Sequence, residues 1–167
     1  MLSLLKWMMN NQMDSLLAVD LGLKTGLALY DQEGRLCWYR SKNYGTTARL
    51  KRDVNNILGS IPALQYLVVE GDRGLADIWE READRRNIPV RQINAEQWRQ
   101  RLLYAREQKS GLQAKLNADY LARKVIKWSG MPGPTSLRHD AAEAIMIGLW
   151  AVLELGWLKT VPDEVRR

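Results

Sequence analysis

The sequence predicts an α/β domain built on a mixed five-stranded sheet, three antiparallel strands followed by parallel additions, with helices flanking it. Three observations carry this expectation. Short apolar runs bounded by glycines, prolines and acids recur at 16–19, 27–30, 36–39, 64–69 and 88–93. The first three runs are separated only by turns, whereas the later ones alternate with stretches of helical periodicity. A length of 167 residues with 46% hydrophobic content suffices for one core but not for two.

The elements follow in order. Leu16-Leu17-Ala18-Val19 ends on Asp20, as a buried strand ends at a sheet margin. Gly22 and Gly26 bracket a turn, Leu27 to Tyr30 resumes as a strand, Asp31 to Gly34 closes a hairpin, and Leu36 to Tyr39 returns. Thr46 or Thr47 caps a helix that carries Leu50, Val54, Ile57 and Leu58 on one face and stops near Gly59. Leu64 to Val69 is the fourth strand and ends on Glu70. Gly71 and Gly74 mark a turn before a charged helix over Leu75 to Asn87. Ile88 to Ile93 forms the fifth strand, and Asn94 caps a helix containing Trp98, Leu102 and Leu103. A long helix over Leu116 to Trp128 presents Arg123, Lys124 and Lys127. Met131-Pro-Gly-Pro134 stiffens a loop, and the last helix, Arg138 to Leu158, is apolar nearly all round and so belongs inside. The parallel additions require right-handed crossovers. Residues 1–13, rich in Leu and Met with Trp7, read as an N-terminal extension. Residues 14–158 read as the folded domain, and 159–167, with Pro162, as a C-terminal tail expected to fray.

Composition narrows the function. With 25 Lys and Arg against 19 Asp and Glu, the chain carries +6, which favours an acidic partner, nucleic acid before membrane. One cysteine, Cys37, leaves no internal disulfide and fits a reducing, cytoplasmic setting. That cysteine and the lone His139 exclude a Cys-rich or poly-His metal site. No apolar run approaches the ~20 residues of a membrane span.

Four acids occupy informative places. Asp20 ends the first strand, Glu70 ends the fourth, and Asp140 and Glu143 share one face at the start of the final helix. If the first and fourth strands are neighbours, their carboxyl ends bring Asp20 and Glu70 together, and the final helix closes the cluster. Four gathered carboxylates repel one another unless cations sit among them. Oxygen-only ligands suit Mg²⁺ or Mn²⁺. Two such ions form the clamp for in-line hydrolysis of a phosphodiester, one activating the attacking water and the other stabilising the leaving oxygen. Taken singly, each acid is more often a solvated strand-end residue, and Asp140 and Glu143 could serve only the helix dipole. The joint placement, with both acids as the polar stripe of an apolar helix, favours the metal reading.

Three stretches resemble a known family. Leu17-Ala-Val-Asp20-Leu-Gly22-Leu-Lys-Thr25-Gly26-Leu-Ala is similar to the opening of the RuvC-like Holliday-junction resolvases of the RNase H-like (retroviral integrase) superfamily. Leu67-Val-Val-Glu70 resembles that family's second acidic strand, and His139-Asp140-Ala-Ala-Glu143-Ala-Ile its closing helix. The resemblance spans residues 15 to 157 in order. It implies an RNase H-like nuclease domain and a crossover junction endodeoxyribonuclease. It further implies a homodimer nicking four-way DNA junctions symmetrically, with two Mg²⁺ ions on Asp20, Glu70, Asp140 and Glu143. The setting it implies is recombination and repair in a bacterial or phage-infected cell. The turn after Asp20 is one residue shorter than in bacterial resolvases, nearer phage-type members, and Glu143 stands where Asp is usual. Relatives place an aromatic wedge shortly after the second acid. Here Arg73 or Trp79 is the candidate replacement, or the wedge is missing.

Further candidates surround the acids. Lys24 and Thr25 lie in a Gly-flanked turn beside Asp20 and are candidate phosphate contacts, though a plain hairpin turn is the commoner role for such residues. His139 precedes the acidic helix and is a candidate to protonate or orient a group near the metals. The resemblance places Lys115 toward the scissile strand. Lys51, Arg52, Arg123, Lys124 and Lys127 are candidate phosphate contacts, although charge runs are usually solvated faces. Alternatives are a nuclease for structured RNA similar to the RuvX/YqgF group, a junction binder that does not cut, and a sugar-kinase-like or actin-like ATPase. The last needs two such domains.

Overall fold

The computed structural model describes residues 13–166, so all but Met13 of the expected N-terminal extension lies outside the described residues. The chain runs β1 (Ser15–Asp20), β2 (Lys24–Asp31), β3 (Leu36–Asn43), α1 (Thr47–Ser60), β4 (Leu64–Glu70), α2 (Arg73–Arg85) and β5 (Val90–Ile93). It continues with α3 (Ala95–Leu102), a 3₁₀ turn (Ala105–Glu107), α4 (Gly111–Trp128) and α5 (His139–Glu154). The five strands form one sheet in the order β3-β2-β1-β4-β5. The β1–β2 and β2–β3 pairs are antiparallel, while β4 and β5 add in parallel. This is the mixed five-stranded sheet that the apolar runs imply. Among the described residues, no helix is long and apolar enough to cross a membrane.

Central position explains why β1 reads as a continuous apolar run: both its faces are covered. Leu17 and Val19 point into one cluster with Leu50, Val54 and Ile57 of α1 and Trp79 of α2. Leu16 and Ala18 point into the other, where α4 and α5 supply Leu121, Val125, Ile145 and Leu149. Two glycines let α5 lie close on the antiparallel strands. A Cβ on Gly26 would come within 1.8 Å of the Asp140 carbonyl, and one on Gly148 within 2.2 Å of the Tyr30 ring. The Tyr30 hydroxyl, buried in this contact, donates to the Ile145 carbonyl at 2.6 Å.

Several boundaries depart from the sequence-based expectations. Helix α2 starts at Arg73, because the Asp72 side chain accepts from the Leu75 amide. Helix α4 starts at Gly111, five residues before Leu116, because Ser110 caps it. Helix α5 ends at Glu154 rather than Leu158. Gly156 (φ 76°) reverses the chain there, and the Gly156 and Trp157 amides donate to the Leu153 and Val152 carbonyls. The C-terminal segment, expected to fray, instead seats Val165 in the core cluster at 1% exposure. Burial of that one side chain, with the Lys124 ammonium donating to the Arg166 carbonyl at 3.2 Å, holds the segment against α4.

The close approach at Gly26 makes a specific demand. Gly26→Ala is expected to destabilise the protein by about 2 kcal/mol or more, since backbone rather than a movable side chain blocks the methyl group. That corresponds to a thermal midpoint lower by roughly 4–8 °C. Gly133→Ala, which meets nothing within 4 Å, is the control and should melt like the parent. Equal melting of the two variants in circular dichroism would contradict this account of helix docking.

Candidate active site

The acids reach one place through the parallel pairing of β1 and β4. That register sets Asp20 directly beside Glu70, and the Leu21 amide donates to the Glu70 carbonyl at 2.8 Å, so both strands end together. Helix α5 begins above the same sheet end, one turn putting Glu143 over the pair. Oxygens of Asp20, Glu70 and Glu143 all lie within 4.8 Å of one another. Each residue is partly buried.

Asp140 stands differently. The Ser41 hydroxyl of β3 donates to its Oδ2 at 2.5 Å, directing this carboxylate toward the edge strand. Its field still reaches Asp20. The Asp20 carboxyl is pushed up from its ordinary value of 3.8 to about 9, by burial first, then by the charges of Glu143, Glu70 and Asp140. Glu70 is also raised, by burial and by Glu143, with the hydrogen bond from Asp20 and the Arg99 guanidinium opposing the shift. The Asp20 proton is thus shared toward Glu70. A site whose acids hold a proton against neutral pH carries more negative charge than its protein surroundings compensate.

Arg99 is the residue that sequence reading missed. Its Nη2 lies 3.8 Å from Glu143 Oε1, the one cation within 4 Å of the three acids among the described residues. The available signal was the Asn94 cap, whose side chain accepts from the Gln97 amide and starts α3 at the sheet end where Asp20 and Glu70 stop. Arg99 comes one turn later and is half-buried against Trp98, 5.3 Å from its ring centroid. An all-carboxylate donor set suits hard divalent cations such as Mg²⁺ or Mn²⁺, and the residues present therefore fit such ions.

The other candidates divide by exposure. Lys24, Lys51, Arg52, Arg73, Lys115, Lys127 and His139 are solvent-exposed. Arg52 also lines a concavity of about 440 Å³ with Lys42 and Arg49. Thr25 is a correction: its side chain is fully buried and its hydroxyl donates to the Gly22 carbonyl at 2.6 Å, so it shapes the turn and presents nothing to a phosphate. Arg123 and Lys124 are occupied internally. Arg123 donates to Asp119 and the Pro134 carbonyl at 2.9 and 3.1 Å, and Lys124 to the Arg166 carbonyl. Trp79 is fully buried beneath α2 and cannot act as a wedge, whereas Arg73 at the start of that helix is exposed.

Comparison with known proteins bears on the fold. No family model and no curated protein matches the sequence. Solved structures do match the fold, among them two of RuvC from Thermus thermophilus. One, at 16% identity with a TM-score of 0.60, matches over 85% of this chain and 96% of that one. The other, RuvC in complex with a Holliday junction substrate, matches over the same shares at 17% identity and a TM-score of 0.57. The chain therefore has the RNase H-like fold of RuvC.

Proposed function

We propose that this protein is a divalent-metal-dependent endonuclease that hydrolyses DNA phosphodiesters at four-way junctions. The observation that carries the reading is the convergence of Asp20, Glu70 and Glu143 at one sheet end of a RuvC-like fold, with Asp140 adjacent. One of the similar RuvC structures holds a Holliday junction, which supports branched DNA as the substrate class. A surface of +6 favours any polyanion, and phosphate contacts add affinity without selecting sequence.

In this reading Asp20, Glu70 and Glu143, with Asp140, hold two Mg²⁺ ions, or Mn²⁺ in their place. Bound there, the ions supply activation of the attacking water and stabilisation of the leaving oxygen. Ser41 holds Asp140 in place through its hydroxyl, and Arg99 pairs with Glu143 and holds it at the cluster. Exposed Lys24 and Lys115 are assigned to the flanking phosphates, and His139 to orienting groups near the ions. One water is consumed per nick, leaving a phosphate monoester and a hydroxyl. Symmetric nicking assigns two copies of the chain to one junction. The short turn between Asp20 and Thr25, together with Glu143, supports a place among divergent, phage-type resolvases.

A labelled immobile four-way junction tested beside linear duplex and structured RNA decides the reading. Paired nicks in the junction, dependent on Mg²⁺ and absent in EDTA, are expected from the parent. Asp20→Asn should lower the cleavage rate by about a hundredfold or more while binding the junction as tightly. Undiminished cleavage by that variant would remove the metal assignment, and preferential cutting of RNA would reassign the substrate.

The charge strain at Asp20 gives a second test. Without metal, the folded chain keeps the Asp20 proton up to about pH 9, whereas the unfolded chain releases it near the ordinary 3.8. The folded state therefore binds more protons between these values and loses stability as pH rises through them. In EDTA, Asp20→Asn should melt several degrees above the parent at pH 8 and close to it at pH 4. Adding Mg²⁺ should raise the parent's midpoint more than the variant's. An Asn effect of equal size at both pH values would contradict the carboxylate repulsion.

A further inference from the structure

Between α3 and α4 the chain makes a short, tightly held loop whose surface charge is all of one sign. Residues 99–118 contain five cations and a single acid, Glu107, which is buried. Arg99 and Arg101 are engaged with Glu143 and Glu154, leaving Arg106, Lys109 and Lys115 exposed with no carboxylate within 4 Å among the described residues. Tyr104 projects from this loop at 61% exposure, the most exposed aromatic among the described residues, and the Arg106 guanidinium stacks 5.0 Å from its ring centroid.

The loop is fixed in place. Glu107 accepts from the Tyr104 amide at 3.0 Å, the Gln108 side chain donates to the Arg99 and Leu103 carbonyls, and the Asn117 amide group donates to the Glu107 carbonyl. An aromatic held this way loses little freedom when it stacks on a ligand. Beside it opens a cavity of about 400 Å³. Met146, Leu149 and Val165 supply apolar lining, and Gln100, Arg101, Tyr104, Arg166 and the buried Glu107 supply polar lining. Met146 and Leu149 lie three and six residues beyond Glu143 on α5, about 4.5 and 9 Å along the helix axis. The cavity is thus walled by the helix that carries Glu143, and its Arg101 is two residues from Arg99 on α3.

We propose that this cavity receives one unpaired nucleobase, stacked against Tyr104, from nucleic acid whose backbone is held by Arg106, Lys109 and Lys115. Apolar side chains beside an exposed aromatic suit the π-face of any base, the Gln100 and Glu107 groups offer polar partners for its edge, and the exposed cations of the neighbouring loop and helix suit its phosphate. A base enters such a site only when it is out of its stack, which favours branch points and bulges over continuous duplex. The inference rests on the nuclease reading for its substrate class and names where that site would distinguish branched from linear DNA.

The test measures binding in EDTA, where nothing is cut. Three labelled DNA duplexes are compared by anisotropy: fully paired, carrying one bulged adenine, and carrying an abasic residue at the same bulge. The parent should bind the adenine bulge about tenfold more tightly than the abasic one. Tyr104→Ala should lose that preference, and with it the abasic change should have no further effect. Tyr104→Phe should keep the preference, and Gln100→Trp, placing a large side chain at the cavity wall from an exposed position, should abolish it. Equal binding of adenine and abasic bulges by the parent overturns the proposal, as does a Tyr104→Ala loss that is the same for all three duplexes. A chain that cuts junctions yet ignores the abasic change keeps its nuclease function and loses this pocket. One that registers the change but never cuts does the reverse.

Discussion

The close seating of α5 on the antiparallel strands is the constraint on which the rest depends. A helix buried over most of its surface must lie near the sheet, and here two positions without side chains permit it. Gly26 admits the Asp140 carbonyl and Gly148 admits the Tyr30 ring. This packing supplies one wall of the core and also delivers Glu143 to the end of β1, where Asp20 and Glu70 already stand in register. Stability and site geometry are therefore set by the same contact. A change that lifted the helix from the sheet would both open the core and disperse the acids.

The cluster works against the fold that positions it. Partial burial and mutual repulsion raise Asp20 and Glu70, and one guanidinium at Glu143 offsets only part of the charge. Such a site is destabilising when left to protein atoms alone, and local strain of this kind is characteristic of groups placed for chemistry. The surrounding core carries the cost, since its two clusters bury nearly every apolar side chain of the sheet.

The cations show a division of labour that charge counting conceals. Arg123 and Lys124 face inward to a carboxylate or to backbone carbonyls and hold α4 against the loop and C-terminal segment around it. Arg35 stacks on Trp128 at 4.2 Å and donates to its carbonyl, tying the β2–β3 hairpin to the end of α4. The cations of the α3–α4 loop and the concavity around Arg49 and Arg52 remain toward solvent. These solvent-facing cations, unlike the inward ones, are available to a polyanion.

Much of this was legible in the sequence by itself. Short apolar runs, turn residues and the Asn94 and Thr46 caps determined the order and type of the elements, because those signals act over a few residues. The placement of Asp20, Glu70, Asp140 and Glu143 at strand and helix ends was likewise a local property. What only the tertiary structure decided depends on distant neighbours. Thr25 lies in a turn that reads as exposed, but burial turns its hydroxyl to Gly22. Trp79 has the periodicity of either face of a helix, and only the packing of α2 on the sheet commits it to the core. Arg99 becomes part of the site because α3 starts where β1 and β4 end, and Asp140 turns to Ser41 because β3 lies on that side of β2. Local sequence sets what each segment is; which side chains meet is set by strand order and helix packing, whose energies come from residues far apart in the chain.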